Sequence, residues 1–172
     1  AFILRRAAEA VAEDRRPMFA ANLELDTPSN PRLALWHATT LLREHRGDGH
    51  LVALTAHGVG PCDAHVLRLA HTGTSVDTVQ PFRGWSDEDW IAAIGRLHAR
   101  GVIDDAGQIT EAGVALHVAV ERLTDELATA PLRAIQSELA ELTHILTPVV
   151  RTLDGAVIPY PNPMGVEHFD AG

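Results

Sequence analysis

The segment from Gly84 to Leu123, GWSDEDWIAAIGRLHARGVIDDAGQITEAGVALHVAVERL, constrains the fold most strongly. Ser86 is followed three residues later by Asp89, which is the spacing of a capping box. Apolar residues then recur at helical spacing until Gly101, so the pattern predicts a capped helix over about residues 86–100.

The residues after this helix predict a β-hairpin. Val102 and Ile103 precede the turn Asp105-Ala106-Gly107, and Ile109 follows it, which indicates two short strands. Thr110 then caps a long helix that runs to about residue 128. A helix, a hairpin and a long helix form the C-terminal half of a winged helix. The sequence therefore predicts a mostly α protein: a winged helix-turn-helix with a short β-hairpin wing and flanking helices.

Three regions follow from this prediction. Residues 1–61 form an N-terminal helical segment, residues 62–128 form the winged helix-turn-helix, and residues 129–172 form a C-terminal helix and an extended proline-rich tail. The C-terminal helix is expected over 132–147, before Pro148.

Within the N-terminal segment, one helix is predicted over residues 2–14, with Pro17 ending the pattern. A second helix is predicted from Pro31 to a reversal at Arg46-Gly47-Asp48-Gly49, because glycines permit tight turns. The chain opens on Ala1, already inside an amphipathic pattern, so we expect it to be a fragment of a longer protein.

Composition narrows the function classes. A single cysteine rules out an intrachain disulfide framework and indicates the cytoplasm, and no apolar run is long enough for a membrane span. The net charge of -9 argues against a protein built mainly to neutralise nucleic-acid phosphates.

Two resemblances add to this interpretation. The stretch RLHARGVIDDAGQITEAGVAL resembles part of the MarR-like winged helix regulators. The combination of LWHATTLLREHRGDGH, GWSDEDW, ERLTDELATAP and PYPNPMG resembles the SalK-like actinobacterial helix-turn-helix family. That second resemblance spans nearly the whole chain. It implies a helix-turn-helix fold and a further helical portion before Ala1.

Double-stranded DNA is one candidate partner, with Arg83, Arg96 and Arg100 as the candidate contacts. Across residues 73–113, however, these three positive charges stand against seven carboxylates. Three of the carboxylates occupy the first turn of the predicted recognition helix, where they would repel phosphates. They also have a structural explanation, since carboxylates at a helix N-terminus complement its dipole.

A small molecule is the second candidate partner. A polar cluster surrounds the predicted reversal, and four of its side chains, those of His37, Glu44, His45 and His50, are expected to face a shared cavity. The candidate ligand-binding residues are His37, Arg43, Glu44, His45, Asp48 and His50. Such a cluster could bind an anionic or phenolic compound or act as an acid-base pair, and it could equally be a solvated helix end. His45, Asp48 and His50 suit zinc by type but match no zinc signature, so no metal is expected.

The leading hypothesis is a ligand-responsive transcriptional regulator that acts as a homodimer. The alternative is a small-molecule-binding or catalytic protein of a biosynthetic pathway that reuses the fold without binding DNA. A protein-interaction module would also fit the acidic surface. No nucleophile elbow, phosphate-binding loop or dinucleotide fingerprint is present, so whether the chain is an enzyme stays open and no cofactor is expected.

Overall fold

The protein is described here from a computed structural model, which describes residues 1–160 together with 162, 164, 166, 168 and 169. Seven α-helices lie within the described residues: α1 Phe2–Glu9, α2 Pro17–Leu23, α3 Pro31–Ala56, α4 Pro61–Thr72, α5 Asp87–Ala99, α6 Glu111–Ala134 and α7 Leu139–Leu153. Short 3-10 turns at Val76–Thr78 and Gln80–Phe82 separate α4 from α5. None of the helices in this part of the chain is long and apolar enough to cross a membrane.

The chain divides into two compact units. The first contains Ala1–Ala56 and Val120–Thr143, and the second contains His57–Ala119 and the described residues from His144 onward. Residues of α6 and α7 are therefore shared between the two units.

In the first unit, α1 and α2 both contact α3. Its buried cluster contains Ala8 of α1, Phe19 of α2 and Leu41 of α3. The single helix predicted over residues 2–14 is wrong, because α1 ends at Glu9 and a second helix begins at Pro17. Proline suits the first position of a helix, where its missing N–H costs nothing.

The predicted reversal at Gly47-Asp48-Gly49 is also wrong, since α3 is continuous from Pro31 to Ala56. Neither glycine has a positive φ angle. Asp48 and Gly49 are buried on the face of α3 that also carries Leu41, so tertiary packing outweighs the roughly 1 kcal/mol that each glycine costs in a helix.

In the second unit, α4 packs on α5 over a core that includes Val66, Leu67, Trp90 and Leu97. The predicted capping box is confirmed: the Ser86 hydroxyl accepts from the Asp89 amide at 3.1 Å, and α5 begins at Asp87.

The predicted β-hairpin wing is wrong, and with it the winged helix. The described residues contain no strand, and one isolated bridge pairs Ile103 with Ile109. Asp104 closes the loop between Ile103 and Ile109 into a tight turn, because its carboxylate accepts hydrogen bonds from the amides of Ala106 and Gln108 at 2.9 and 2.8 Å. Thr110 then caps α6 at once, accepting from the Gly113 amide at 3.1 Å, so no residues remain to extend a ladder.

The C-terminal region also differs from the prediction. α6 continues through Pro131 to Ala134, and α7 runs from Leu139 to Leu153 with Pro148 inside it, so a helix over 132–147 is wrong. The proline-rich tail was predicted to be extended, but its residues 161, 163 and 165 lie outside the described residues.

Candidate functional site

The polar residues predicted to bind a ligand lie on successive turns of α3. Helical rise places His50 about 20 Å along the axis from His37, so the two imidazoles do not converge. The His37 ring donates from Nε2 to the Asn22 carbonyl at 2.9 Å, whereas His50 lies 2.9 Å from the Thr124 hydroxyl on α6. The Thr124 hydroxyl donates to the Val120 carbonyl, so His50 must donate to it from Nδ1.

His45 and Asp48 are buried in the first unit. The Asp48 carboxylate accepts from the Phe19 amide at 2.9 Å and so caps the N-terminus of α2 from another helix. The His45 ring meets the Phe19 ring edge to face, with centroids 5.2 Å apart. Burial, together with the nearby charge of Arg16, lowers the pKa of His45 to about 4. Its imidazole is therefore neutral at pH 7.

Arg16 joins α3 and α6 through hydrogen bonds to their backbones. Its guanidinium donates to the carbonyl oxygens of His45 on α3 and of Leu127 on α6, the latter at 2.8 Å. Leu127 lies four residues before Pro131, which has no N–H to donate, so its carbonyl lacks the usual helical partner. Arg16 supplies the missing hydrogen bond. A side chain at Gly49 would crowd this guanidinium, since an added Cβ would lie 3.1 Å from Arg16 Nη1.

The other two predicted ligand residues, Arg43 and Glu44, pair with each other. Arg43 is exposed and Glu44 is half-buried. One turn along, Arg46 contacts Glu121 of α6 at 3.0 Å. Of the six predicted residues, the structure thus brings His45 and Asp48 together around Phe19 and pairs Arg43 with Glu44, whereas His37 and His50 have separate partners.

The predicted DNA contacts lie at the edge of α5. Arg96 makes a bidentate ion pair with the buried Asp63 of α4, with Nη2 and Oδ1 2.6 Å apart. Arg100 donates to the carbonyl oxygens of Gly58 and His57 at 2.6 and 3.0 Å. Both arginines therefore anchor α5 to the start of α4. Burial lowers the pKa of His65 on α4, and the charges of Arg83 and Arg68 lower it further, so the Arg83 guanidinium lies near this imidazole and the side chain of Arg68.

The outward face of α5 has a different chemistry. Its exposed residues are Asp87, Glu88, Ile91, Ala92, Gly95 and His98. Rotation by 100° per residue places Arg96 and Arg100 on the far side of the helix from Ile91. His98 is 2.8 Å from the exposed carboxylate of Asp105. The face is therefore acidic at its start and apolar at its centre.

An open, mainly apolar cavity of about 270 Å³ lies in the surface of the second unit, between α4, α5 and the loop after α5. Val66 and Leu69 of α4 line it together with Trp90 and Ile94 of α5, and Gln108 contributes an amide from the loop. A small and mainly apolar molecule could contact both helices there.

Sequence reasoning missed both Arg16 and the cavity. Pro131 inside a helical pattern was a signal that one carbonyl would need another donor, although it could not identify the donor. The cavity residues recur at ordinary core spacing, so no local signal distinguishes them.

Burial raises the pKa of Cys62, as does the nearby Asp63, which keeps this thiol protonated. In the part of the chain that the structure describes, no group of three or more His, Cys, Asp and Glu side chains could hold a metal ion.

Comparison with known proteins gives one match. The model of a family described as a helix-turn-helix family matches residues 1–159. No curated protein and no solved structure matches the chain.

The Arg16 hydrogen bond to Leu127 should be coupled to Pro131. Arg16→Met should lower the free energy of unfolding by about 2 kcal/mol, because a buried carbonyl loses a charged donor. In a Pro131→Ala background the new amide at residue 131 can pair with Leu127, so the same change should cost about 1 kcal/mol less. Urea denaturation of the four proteins measures this coupling. The exposed neighbour Arg15→Met is the control, and additive effects of the two changes would contradict the assignment.

The depressed pKa of His45 should make the fold sensitive to acid. Its contribution to stability is fully present above about pH 6.5 and is lost as the pH falls toward 4, because protonation is then easier in the unfolded chain. The loss should reach up to about 3 kcal/mol. Urea denaturation between these pH values, compared with His45→Gln, isolates this effect from the titration of the carboxylates. If the free energy of unfolding falls equally with pH in the wild-type protein and in His45→Gln, His45 does not cause the loss of stability.

Proposed function

Because the chain belongs to a helix-turn-helix family, we propose that it is a ligand-responsive transcriptional regulator that binds double-stranded DNA. Membership of such a family suggests a DNA-binding regulator in general. Within that class, the stretches LWHATTLLREHRGDGH and GWSDEDW support a SalK-like actinobacterial member, and RLHARGVIDDAGQITEAG supports a likeness to MarR-like regulators. A cytoplasmic homodimer is part of the proposal.

The position of the apolar cavity is the observation that supports a response to a ligand. It is lined by both α4 and α5, so a bound molecule would act directly on the geometry of this helix pair. The lining favours a small, largely apolar compound with one polar group, since Trp90 and Ile94 offer apolar surface and Gln108 offers an amide. The polar series on α3, His37 to His50, stays a second predicted ligand site.

DNA contact is assigned to Arg83, Arg96 and Arg100. The Arg96 side chain keeps 53% of its surface exposed while it pairs with Asp63, so it can also reach a phosphate. Its ion pair fixes the guanidinium in place, which lowers the entropy cost of such a contact. Glu88 and Asp87 oppose DNA approach to the first turn of α5.

The acidic outward face of α5 favours a second candidate function. The protein would then bind or transform a small molecule of a biosynthetic pathway and would have no DNA partner. The same cavity would serve as its ligand site. A direct DNA-binding measurement separates the two candidates.

If α5 approaches DNA, removing one of its outward carboxylates should strengthen binding. Fluorescence anisotropy of the full chain, with duplexes from its own gene neighbourhood, should show affinity that falls with rising salt. Glu88→Gln should raise the affinity about two- to fivefold by removing repulsion. Glu24→Gln, an exposed carboxylate on the first unit, is the matched control. No binding at about 50 mM salt would contradict a DNA-binding regulator and favour the second candidate.

Filling the cavity should block ligand binding without unfolding the protein. Indole is a suitable probe, because it is apolar and carries one N–H donor. Ala70→Leu adds bulk at the cavity wall and should weaken indole binding at least about tenfold by calorimetry. Ala92→Leu adds the same bulk on the exposed side of α5 and should leave binding unchanged. Equal affinity of Ala70→Leu and the wild-type protein would place the indole elsewhere.

A further inference from the structure

The surface of α3 carries an exposed tryptophan and an exposed arginine on one face. Trp36 is 74% exposed, and the side chain of Arg43 is 76% exposed. The two residues are seven positions apart, which is nearly two helical turns and about 10 Å along the axis. The hydroxyls of Thr39 and Thr40, which lie between them, both donate to the Trp36 carbonyl at 2.8 and 2.9 Å. The hydroxyl groups between Trp36 and Arg43 therefore already donate their hydrogen bonds within α3.

The outward face of α5 carries the complementary features at the same spacing. Glu88 is exposed at one end, and Gly95 lies seven residues later. A Cβ added at Gly95 would meet nothing within 4 Å, so the surface above this glycine is open. Ile91 is 68% exposed between them. This face therefore offers a carboxylate, an apolar side chain and a shallow depression.

We propose that α3 of one copy of this chain docks antiparallel on α5 of a second copy. Trp36 lies over Gly95 in this register, and Arg43 lies against Glu88. Thr40 then faces Ile91. The equal spacing of seven residues on both helices satisfies the aromatic contact and the ion pair at the same time. Arg43 exchanges its contact with the neighbouring Glu44 for one with Glu88.

A second copy fits this surface better than other occupants. Trp36 and its exposed neighbour Leu33 are apolar, which does not suit a phosphate backbone. Tryptophan and arginine are the residue types that dominate protein interfaces, and a tryptophan buries about 150–250 Å² on contact. The exposed carboxylate of Glu88 gives α5 of the same sequence a charge opposite to that of Arg43 on α3.

The inference deepens the homodimer of the proposed function by naming its contact. The outward face of α5 cannot lie in a DNA groove while a second copy covers it. Self-association through this contact and DNA reading by that face therefore exclude each other.

Sedimentation equilibrium of the full chain, at concentrations up to about 500 µM and without DNA, tests the contact. The wild-type protein should associate reversibly. Trp36→Ala should raise the dissociation constant at least about tenfold, because it removes the aromatic anchor. Phe82→Ala removes another exposed aromatic ring, 69% exposed, and should leave the constant unchanged.

Further variants exclude misfolding as the cause. Gly95→Leu should abolish association while the melting temperature stays equal or rises, since the added side chain fills the depression and leucine favours the helix. Arg43→Glu and Glu88→Arg should each raise the dissociation constant at least about fivefold, and their combination should restore it to within about twofold.

A monomeric wild-type protein at every concentration would overturn the inference and the homodimer together. A dimer unaffected by Trp36→Ala, or a double charge reversal that fails to restore association, would overturn this contact and leave the homodimer standing. DNA binding is measured separately, so its absence would contradict the proposed regulator without overturning this contact.

Discussion

The first unit depends on a carbonyl oxygen that Pro131 leaves without its helical partner. Arg16 donates to that oxygen, on Leu127, and also to the His45 carbonyl, so one guanidinium joins α3 and α6 through their backbones. Gly49 makes room for it. Asp48 then caps α2 directly after Arg16, which places a carboxylate near the buried charge. Removing the Arg16 guanidinium would leave the Leu127 carbonyl unpaired, and removing the Asp48 carboxylate would leave the Phe19 amide unpaired.

Local signals predicted the second unit better than the first. The capping box at Ser86 and Asp89 involves residues three apart, so it can be recognised without knowing the fold. Gly73, in the left-handed conformation, likewise ends α4 through the local conformational freedom of glycine. The hairpin prediction failed because it depended on spare residues after Ile109, and Thr110 begins α6 immediately. The prediction of a chain break at Gly47 and Gly49 failed because burial of α3 overrides the local preference of glycine.

The predicted ligand cluster shows why a site is harder to predict than a helix. His45, Asp48 and His50 form a polar group in the sequence, and that pattern does not distinguish a ligand site from a folding network. The distinction depends on distant partners: the Phe19 amide is 29 positions from Asp48, and Thr124 is 74 positions from His50. No spacing rule connects such pairs. Sequence alone also could not show that Arg96 and Arg100 hold α5 against the rest of its unit.

The ligand response that we propose depends on the different surroundings of the two sides of α5. Trp90 and Ile94 line the cavity, while Ile91 and Gly95 face outward on the same turns. Because an α-helix moves largely as a rigid element, a molecule that displaces Trp90 must also displace its outward neighbours. The Arg96 ion pair with Asp63 resists this movement, since the buried carboxylate cannot lose its partner without cost. In the proposed function, a ligand would therefore stabilise one position of α5 among those that keep the ion pair between Arg96 and Asp63. A shift of α5 about this ion pair would change what the outward face can bind.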